Sequence, residues 1–146
     1  MATWITGGTV LTPGGGVEDG HVKIEGGTIA AVGTGSGEPA ESDVTIDATG
    51  LYVAPGFVDT HIHGLGGFDA MDGPDGVEGM SLELVKHGVT AFLPTLVSAP
   101  PDELARLVTE LSPVVTTGAD MAGLHLEGPY LDPGAPRMFA PEDFRP

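Results

Sequence analysis

The sequence predicts an α/β protein, in which a small antiparallel β-sheet precedes three parallel βα units. In residues 1–50, short runs of alternating apolar and polar residues are separated by glycine-rich turns. From Leu51 onward, longer apolar runs alternate with helical patterns, which is typical of βαβ units. We therefore assign residues 1–50 to an N-terminal β-strand segment and residues 51–146 to an α/β segment.

The N-terminal segment contains four predicted strands. His21–Glu25 alternates with period 2, as a strand with one wet face does. Gly26 and Gly27 stand where a two-residue hairpin turn is expected. The strands are Trp4–Leu11, interrupted at Gly7-Gly8, then His21–Glu25, Thr28–Val32 and Val44–Asp47.

The second segment contains three predicted strands and two predicted helices. The strands are the apolar runs Leu51–Val58, Val89–Val97 and Ala122–Leu126. The helices are Val77–His87, ended by Gly88 as C-cap, and Asp102–Leu111, with proline at or near its first turn. Polar residues follow each strand, at the end where α/β sheets and barrels place their sites.

Composition and charge exclude several classes of function. The chain has 146 residues and a formal net charge of −16, from 21 acidic and 5 basic residues. Nucleic acid and anionic membrane surfaces are therefore not expected as partners, because both require clustered cations. No apolar run reaches the length of a membrane span and no secretory signal is visible, so we expect a cytoplasmic protein.

His61 and His63 are the first candidate metal ligands. They lie two residues apart at a predicted strand end, so period 2 places both imidazoles on one face. Two ring nitrogens there can chelate one ion. The alternative is a pair of polar residues where the strand leaves the core, but the buried strand before them makes an unbonded pair costly.

Glu127 follows the third predicted strand and is the candidate third ligand, with a surface or helix-capping role as the alternative. His125 shares its face and is expected to support the site or to pack in the core rather than to ligate. Asp59 either orients a ligand histidine, by accepting its second N–H, or bonds nearby backbone.

Metal-activated water is the expected nucleophile. The sequence has no cysteine and no Gly-x-Ser-x-Gly elbow. Two histidines and a carboxylate suit Zn²⁺, our first choice, and also Fe²⁺, Mn²⁺, Ni²⁺ or Co²⁺.

Four stretches resemble a known family. Pro55–Gly64 resembles the first barrel strand of the amidohydrolase superfamily. Gly64–Asp69, His87–Thr95 and Gly123–Leu131 narrow the resemblance to the N-acetylglucosamine-6-phosphate deacetylases. The resemblance covers essentially the whole chain, but only the N-terminal portion of that family.

The resemblance implies a fold, a site and a reaction. The first segment would be an N-terminal half-sandwich, and the second would be the first three βα units of an incomplete TIM-like (β/α)8 barrel. His61 and His63 would ligate one metal ion, and Glu127 would bind a second or bridge the two. The substrate would be an amino-sugar phosphate, N-acetylglucosamine 6-phosphate, hydrolysed to glucosamine 6-phosphate and acetate.

Two departures from the family limit this expectation. Phe139 stands where the family has a histidine that helps to bind the sugar, so another N-acyl or cyclic amide substrate is the alternative. The family's later histidine ligands and its general acid/base aspartate would lie beyond Pro146, so we assign no catalytic residue.

Three hypotheses follow for the chain as a whole. It is a truncated deacetylase that is inactive alone, which we favour, or one part of a split enzyme, or a non-enzymatic metal-binding module. Three parallel strands with open edges also predict association, as a homo-oligomer or through those edges.

Overall fold

The computed structural model describes residues 1–131, which form sheets and a few helices. Phe139, which stands in place of the family's histidine, lies outside the described residues. The chain divides into two compact units, Met1–Pro55 and a second unit that begins at Gly56.

The first unit is a five-stranded sheet. β1 lies near its centre and pairs with β2 on one side and with β4 and β5 on the other, and β3 pairs with β2. The strands are β1 (Thr3–Thr12), β2 (Gly15–Glu25), β3 (Thr28–Thr34), β4 (Val44–Asp47) and β5 (Tyr52–Val53).

The prediction of an antiparallel sheet is right for three strands and wrong for the others. β1, β2 and β3 are antiparallel, and Gly26 and Gly27 form the predicted turn, with φ of 59° and 79°. β4 and β5 run parallel to β1, so the sheet is mixed. Asp43 explains the direction of β4, because its carboxylate accepts hydrogen bonds from the Ala2 N–H (2.8 Å) and the Trp4 indole (3.0 Å) at the start of β1.

The second unit is built around one central strand, β9. β6 pairs with it on one side, and β10 and β11 pair with it on the other, all in parallel. This confirms the predicted parallel arrangement. The strands are β6 (Phe57–Ile62), β7 (Gly64–Leu65), β8 (Phe68–Asp69), β9 (Val89–Leu96), β10 (Asp120–Met121) and β11 (His125–Leu126), and the helices are α1 (Pro74–Leu84) and α2 (Pro101–Leu111).

The predicted buried strand Leu51–Val58 is wrong in extent and in burial. Tyr52–Val53 belongs to the first unit, and β6 begins only at Phe57. Pro55 has no backbone N–H to contribute to a ladder, which explains the break. Phe57 and Val58 are 67% and 63% exposed, because β6 is an edge strand of the described sheet.

The third predicted strand is also interrupted. Instead of one run from Ala122 to Leu126, the chain pairs with β9 at β10 and again at β11. Gly123 lies between them with φ of 156°. The short ladder of β11 nevertheless brings the chain beside the end of β9, where the candidate site lies.

Both helices occur where the sequence predicts them. α1 starts three residues before the predicted Val77, at Pro74, and a 3₁₀ turn continues it to Gly88, the predicted C-cap, whose φ is 78°. α2 begins at Pro101, with acidic residues in its first turn. Neither helix has the length and apolar character that crossing a bilayer requires.

The core of the second unit lies between the helices and β9. α1 contributes Val77, Met80 and Leu84, β9 contributes Phe92 and Leu96, and α2 contributes Leu104, Leu107 and Leu111. This packing fixes the position of β9, and therefore of the polar residues at its end.

We expect Leu107→Ala to destabilise the protein by about 2–5 kcal/mol, since Leu107 is fully buried and its truncation leaves a cavity. Leu82→Ala is the matched control, because Leu82 is 46% exposed on the other helix. Urea denaturation measures both. Equal losses in the two variants would contradict this description of the core.

Glu78 connects α1 to the segment that precedes β10. Its carboxylate accepts hydrogen bonds from the Thr117 N–H (3.1 Å) and from the Thr117 hydroxyl. These bonds, the hydroxyl bond first, lower the pKa of Glu78 below its ordinary value of 4.5. They favour the ionised carboxylate in the folded state.

Glu78 should therefore add a pH-dependent increment of stability. A carboxyl whose pKa is lowered on folding stabilises the protein fully above its unfolded pKa, and this contribution is lost as the pH falls through the folded pKa. We expect Glu78→Gln to reduce the loss of stability between neutral and acidic pH, and Thr117→Val to reduce it partly. Urea denaturation at several pH values measures this loss of stability. The same loss in Glu78→Gln as in the wild type would contradict the role given to Glu78.

Candidate metal centre

Three side chains converge at the carboxyl end of the parallel sheet in the second unit. His61 lies in β6, His63 follows its last residue, and Glu127 follows β11. The backbone N–H of Glu127 donates to the Leu96 carbonyl at the end of β9, at 2.9 Å, which holds Glu127 against the central strand. Residues 66 positions apart in the sequence thus meet because both flanking strands end beside β9.

An irregularity in β6 helps to position the histidine pair. Asp59 is paired with Phe92, but Ile62 is paired with Pro94, so β6 uses one residue more than β9 between these two positions. Such bulges bend a strand and redirect its side chains, and they are common beside active sites. His61 lies inside this bulge.

The donor atoms form a nearly equilateral triangle. Nε2 of His61 and Nε2 of His63 are 3.3 Å apart, and each lies 3.1 Å from the same oxygen of Glu127, Oε2. Two ligands of a tetrahedral ion with bonds of about 2.0–2.1 Å are separated by about 3.3 Å. The spacing of the three atoms therefore fits one divalent ion.

The tautomer of His63 also favours a cation at this site. His63 Nδ1 lies 3.0 Å from the Thr95 carbonyl oxygen, which can only accept, so Nδ1 carries a proton. In the neutral imidazole, Nε2 of His63 then presents a lone pair towards the Glu127 carboxylate. Lone pairs at this distance repel one another, and a metal ion between them relieves the repulsion.

The site is open enough for exchange with solvent. The side chains of His61, His63 and Glu127 are 50%, 28% and 31% exposed. Among residues 1–131, these three form the group of histidine and acidic residues that can hold a metal ion. Two imidazoles and one carboxylate suit zinc and its first-row neighbours.

His61, His63 and Glu127 are called the triad below. Asp59 lies close to the two histidines of the triad in the sequence, but its carboxylate forms a hydrogen bond with a backbone N–H. Its Oδ1 accepts the backbone N–H of His61 at 3.1 Å. Of the two roles considered for Asp59, the structure therefore shows the backbone one. This bond constrains the main chain at the bulge, and the His61 side chain projects from that bulge.

His125 lies beside the triad rather than in it. Its ring centre is 4.8 Å from that of His61, with the planes tilted by 58°. Its Nδ1 is 3.2 Å from the hydroxyl of Thr95. The role of His125 in supporting the site stays a prediction.

Thr95 is the site residue for which the sequence analysis proposed no role. It is fully buried near the end of β9, and it contacts His63 through its carbonyl and His125 through its hydroxyl. The signal in the sequence was a polar residue within an apolar strand, one residue before the strand ends at Leu96. A buried hydroxyl requires partners, and here those partners are at the metal centre.

The chain is similar to known proteins both in sequence and in structure. No family model matches the chain. The N-acetylgalactosamine-6-phosphate deacetylase of Escherichia coli O157:H7 is 33% identical over 140 residues, which cover 93% of this chain and 36% of the relative. The chain therefore spans little more than a third of the length of this curated relative.

Solved structures of a deacetylase are also similar to this chain. The N-acetyl-D-glucosamine-6-phosphate deacetylase of Mycobacterium smegmatis is similar to 99% of this chain, with a TM-score of 0.82 and 34% identity over 40% of its own length. A mutant of that enzyme, in complex with N-acetyl-D-glucosamine-6-phosphate, matches 90% of this chain and 34% of its own, with a TM-score of 0.74 and 36% identity.

We expect the purified chain to hold zinc stoichiometrically and the double variant His61→Ala, His63→Ala to lose it, because only one of three donors remains. His87→Ala is the control, since His87 is an exposed histidine of the same unit. Elemental analysis after dialysis measures zinc content. Equal zinc in the double variant and the wild type would show that the metal binds elsewhere.

Proposed function

Over most of its length the chain matches part of the N-acetylglucosamine-6-phosphate deacetylases, and from this premise we propose that it supplies the first ligands of a deacetylase metal centre. The observation that carries the proposal is the triangle of His61, His63 and Glu127 at the end of the parallel sheet. The reaction is hydrolysis of the N-acetyl group of an amino-sugar 6-phosphate, giving the free amine and acetate.

The proposed architecture is a half-sandwich followed by the first three βα units of a (β/α)8 barrel. The first sheet corresponds to the half-sandwich, and β6, β9 and the β10–β11 pair correspond to the first three barrel strands. Two features support this. All pairings in the second sheet are parallel, and the candidate ligands lie at its carboxyl end, where barrel enzymes have their sites.

The residues of the triad would contribute to binding of the ion in different ways. His61 and His63 provide neutral nitrogen donors, and the Thr95 carbonyl holds the His63 ring in the tautomer that leaves Nε2 free. Glu127 provides a negative charge that offsets part of the charge of the ion. A bound divalent ion supplies Lewis acidity, which polarises the amide carbonyl and lowers the pKa of bound water.

We propose zinc as the ion, with iron, manganese, nickel or cobalt as substitutes that suit the same donors. A two-ion centre is also compatible with the triad. Both imidazoles contact the same oxygen of Glu127, Oε2. The other carboxylate oxygen, Oε1, would then be the atom of Glu127 available to a second ion.

The proposed substrate is an amino-sugar 6-phosphate. It follows from the relatives, one of which was solved in complex with N-acetyl-D-glucosamine-6-phosphate and another of which acts on the galactosamine epimer by its name. A different N-acyl or cyclic amide remains the alternative substrate. We also propose a cytoplasmic location, and association as a homo-oligomer or through open sheet edges.

Activity should require more than the 146 residues. The triad supplies metal donors, but none of residues 1–131 is assigned as the general acid/base that must protonate the leaving amine. The matched relatives are more than twice as long as this chain. We therefore propose that the catalytic aspartate and further ligands come from additional sequence, in the same chain or in a partner chain.

We expect the isolated chain to release no acetate from N-acetylglucosamine 6-phosphate above the uncatalysed rate. Joined to, or mixed with, the remaining barrel of a full-length relative, it should turn over at about 1–10³ s⁻¹. An assay of acetate release measures this, with Glu127→Gln as the inactive control. Turnover by the isolated chain would contradict the proposed incompleteness, and a stable monomer that binds zinc but never gains activity would favour a non-enzymatic module.

A further inference from the structure

Thr95 lies between the two strands that flank β9 and contacts both of them. It is fully buried, and its hydroxyl lies 3.1 Å from the Ile62 N–H, 3.2 Å from His125 Nδ1 and 3.3 Å from the Leu93 carbonyl. Its own carbonyl accepts from His63 Nδ1 at 3.0 Å. One residue of the central strand therefore contacts both flanking strands at the candidate metal centre.

The contact with Ile62 compensates for the bulge in β6. Because the ladder between β6 and β9 slips by one residue before Ile62, this N–H bonds to a side-chain oxygen instead of a carbonyl. Ile62 lies between His61 and His63 in the sequence. Fixing its backbone therefore restricts the direction of both imidazoles.

The three contacts of the hydroxyl have one fully satisfied assignment. A hydroxyl donates one hydrogen bond and accepts two. The Leu93 carbonyl can only accept, so it takes the hydroxyl proton, and the Ile62 N–H can only donate. The second lone pair of the oxygen then accepts from His125, whose proton must be on Nδ1.

We infer that Thr95 is a positioning residue of the metal centre, which sets the tautomers of His63 and His125 and anchors the bulge that carries the ligand pair. Through its carbonyl it places the proton of His63 on Nδ1, and through its hydroxyl it does the same for His125. Both rings then have an unprotonated Nε2. The inference rests on the proposed metal centre for its functional meaning, but the tautomers are a property of the chain itself.

The first test is the tautomer of His125 in the metal-free chain. ¹⁵N NMR of the imidazoles, at an alkaline pH where both are neutral, distinguishes the protonated from the unprotonated ring nitrogen. We expect His63 and His125 both to be protonated on Nδ1. In Thr95→Val, His125 should shift to a mixture of tautomers while His63 stays unchanged, because the carbonyl remains. A wild-type His125 protonated on Nε2 would overturn the inference.

The second test is zinc affinity, measured by competition with a chromophoric chelator. We expect Thr95→Val to bind zinc about 10–100-fold more weakly than the wild type, the usual effect of removing a group that orients ligands. Thr95→Ser keeps the hydroxyl and should restore affinity to near the wild-type value. Circular dichroism shows whether each variant is folded, and Thr95→Ser provides the comparison if Thr95→Val is not.

The outcomes separate this inference from the proposed function. Equal zinc affinity in folded Thr95→Val and wild type would overturn the role of Thr95 while leaving the metal centre intact. Failure of Thr95→Ser to restore affinity would also overturn it, since the hydroxyl would then be irrelevant. A wild-type chain that binds no zinc, with both tautomers as expected, would instead contradict the proposed function.

Discussion

Electrostatic repulsion between the lone pair on His63 Nε2 and the Glu127 carboxylate is the constraint on which the candidate site depends. Nε2 of His61, Nε2 of His63 and Oε2 of Glu127 lie 3.1–3.3 Å apart. Since His63 carries its ring proton on Nδ1, its Nε2 presents a lone pair to the Glu127 carboxylate, and a positive charge between these atoms relieves their repulsion. A divalent ion satisfies all three donors at once, at separations that match its ordinary bond lengths.

The parallel sheet is what brings these atoms together. β6 and β11 both pair with β9, so their carboxyl ends lie on either side of the end of that strand. β9 is in turn held by the apolar faces of α1 and α2. The position of the site therefore depends on the core, while its finer geometry depends on the bulge in β6 and on the hydrogen bonds of Thr95.

The sequence predicted the parts of this arrangement that follow from periodicity and caps. The helix ending at Gly88, the strand β9 and the meeting of the histidine pair with Glu127 follow from such local patterns.

The sequence did not predict that β4 runs parallel to β1, because the direction of β4 depends on the long-range hydrogen bonds of Asp43. The break at Pro55 follows from the missing N–H of proline, which is a local feature of the sequence. The exposure of Phe57 instead depends on the absence of a further strand beside β6 within residues 1–131. The role of Thr95 depends on a one-residue slip between two strands, which no local pattern encodes.

The most direct test of the central claim is the location of a bound ion by anomalous X-ray scattering. Crystals of the 146-residue chain grown with zinc should show an anomalous peak about 2.0–2.2 Å from Nε2 of His61, Nε2 of His63 and an oxygen of Glu127. The same data from His61→Ala, His63→Ala should lack this peak. A zinc peak elsewhere in the wild type, with none between these three side chains, would contradict the account.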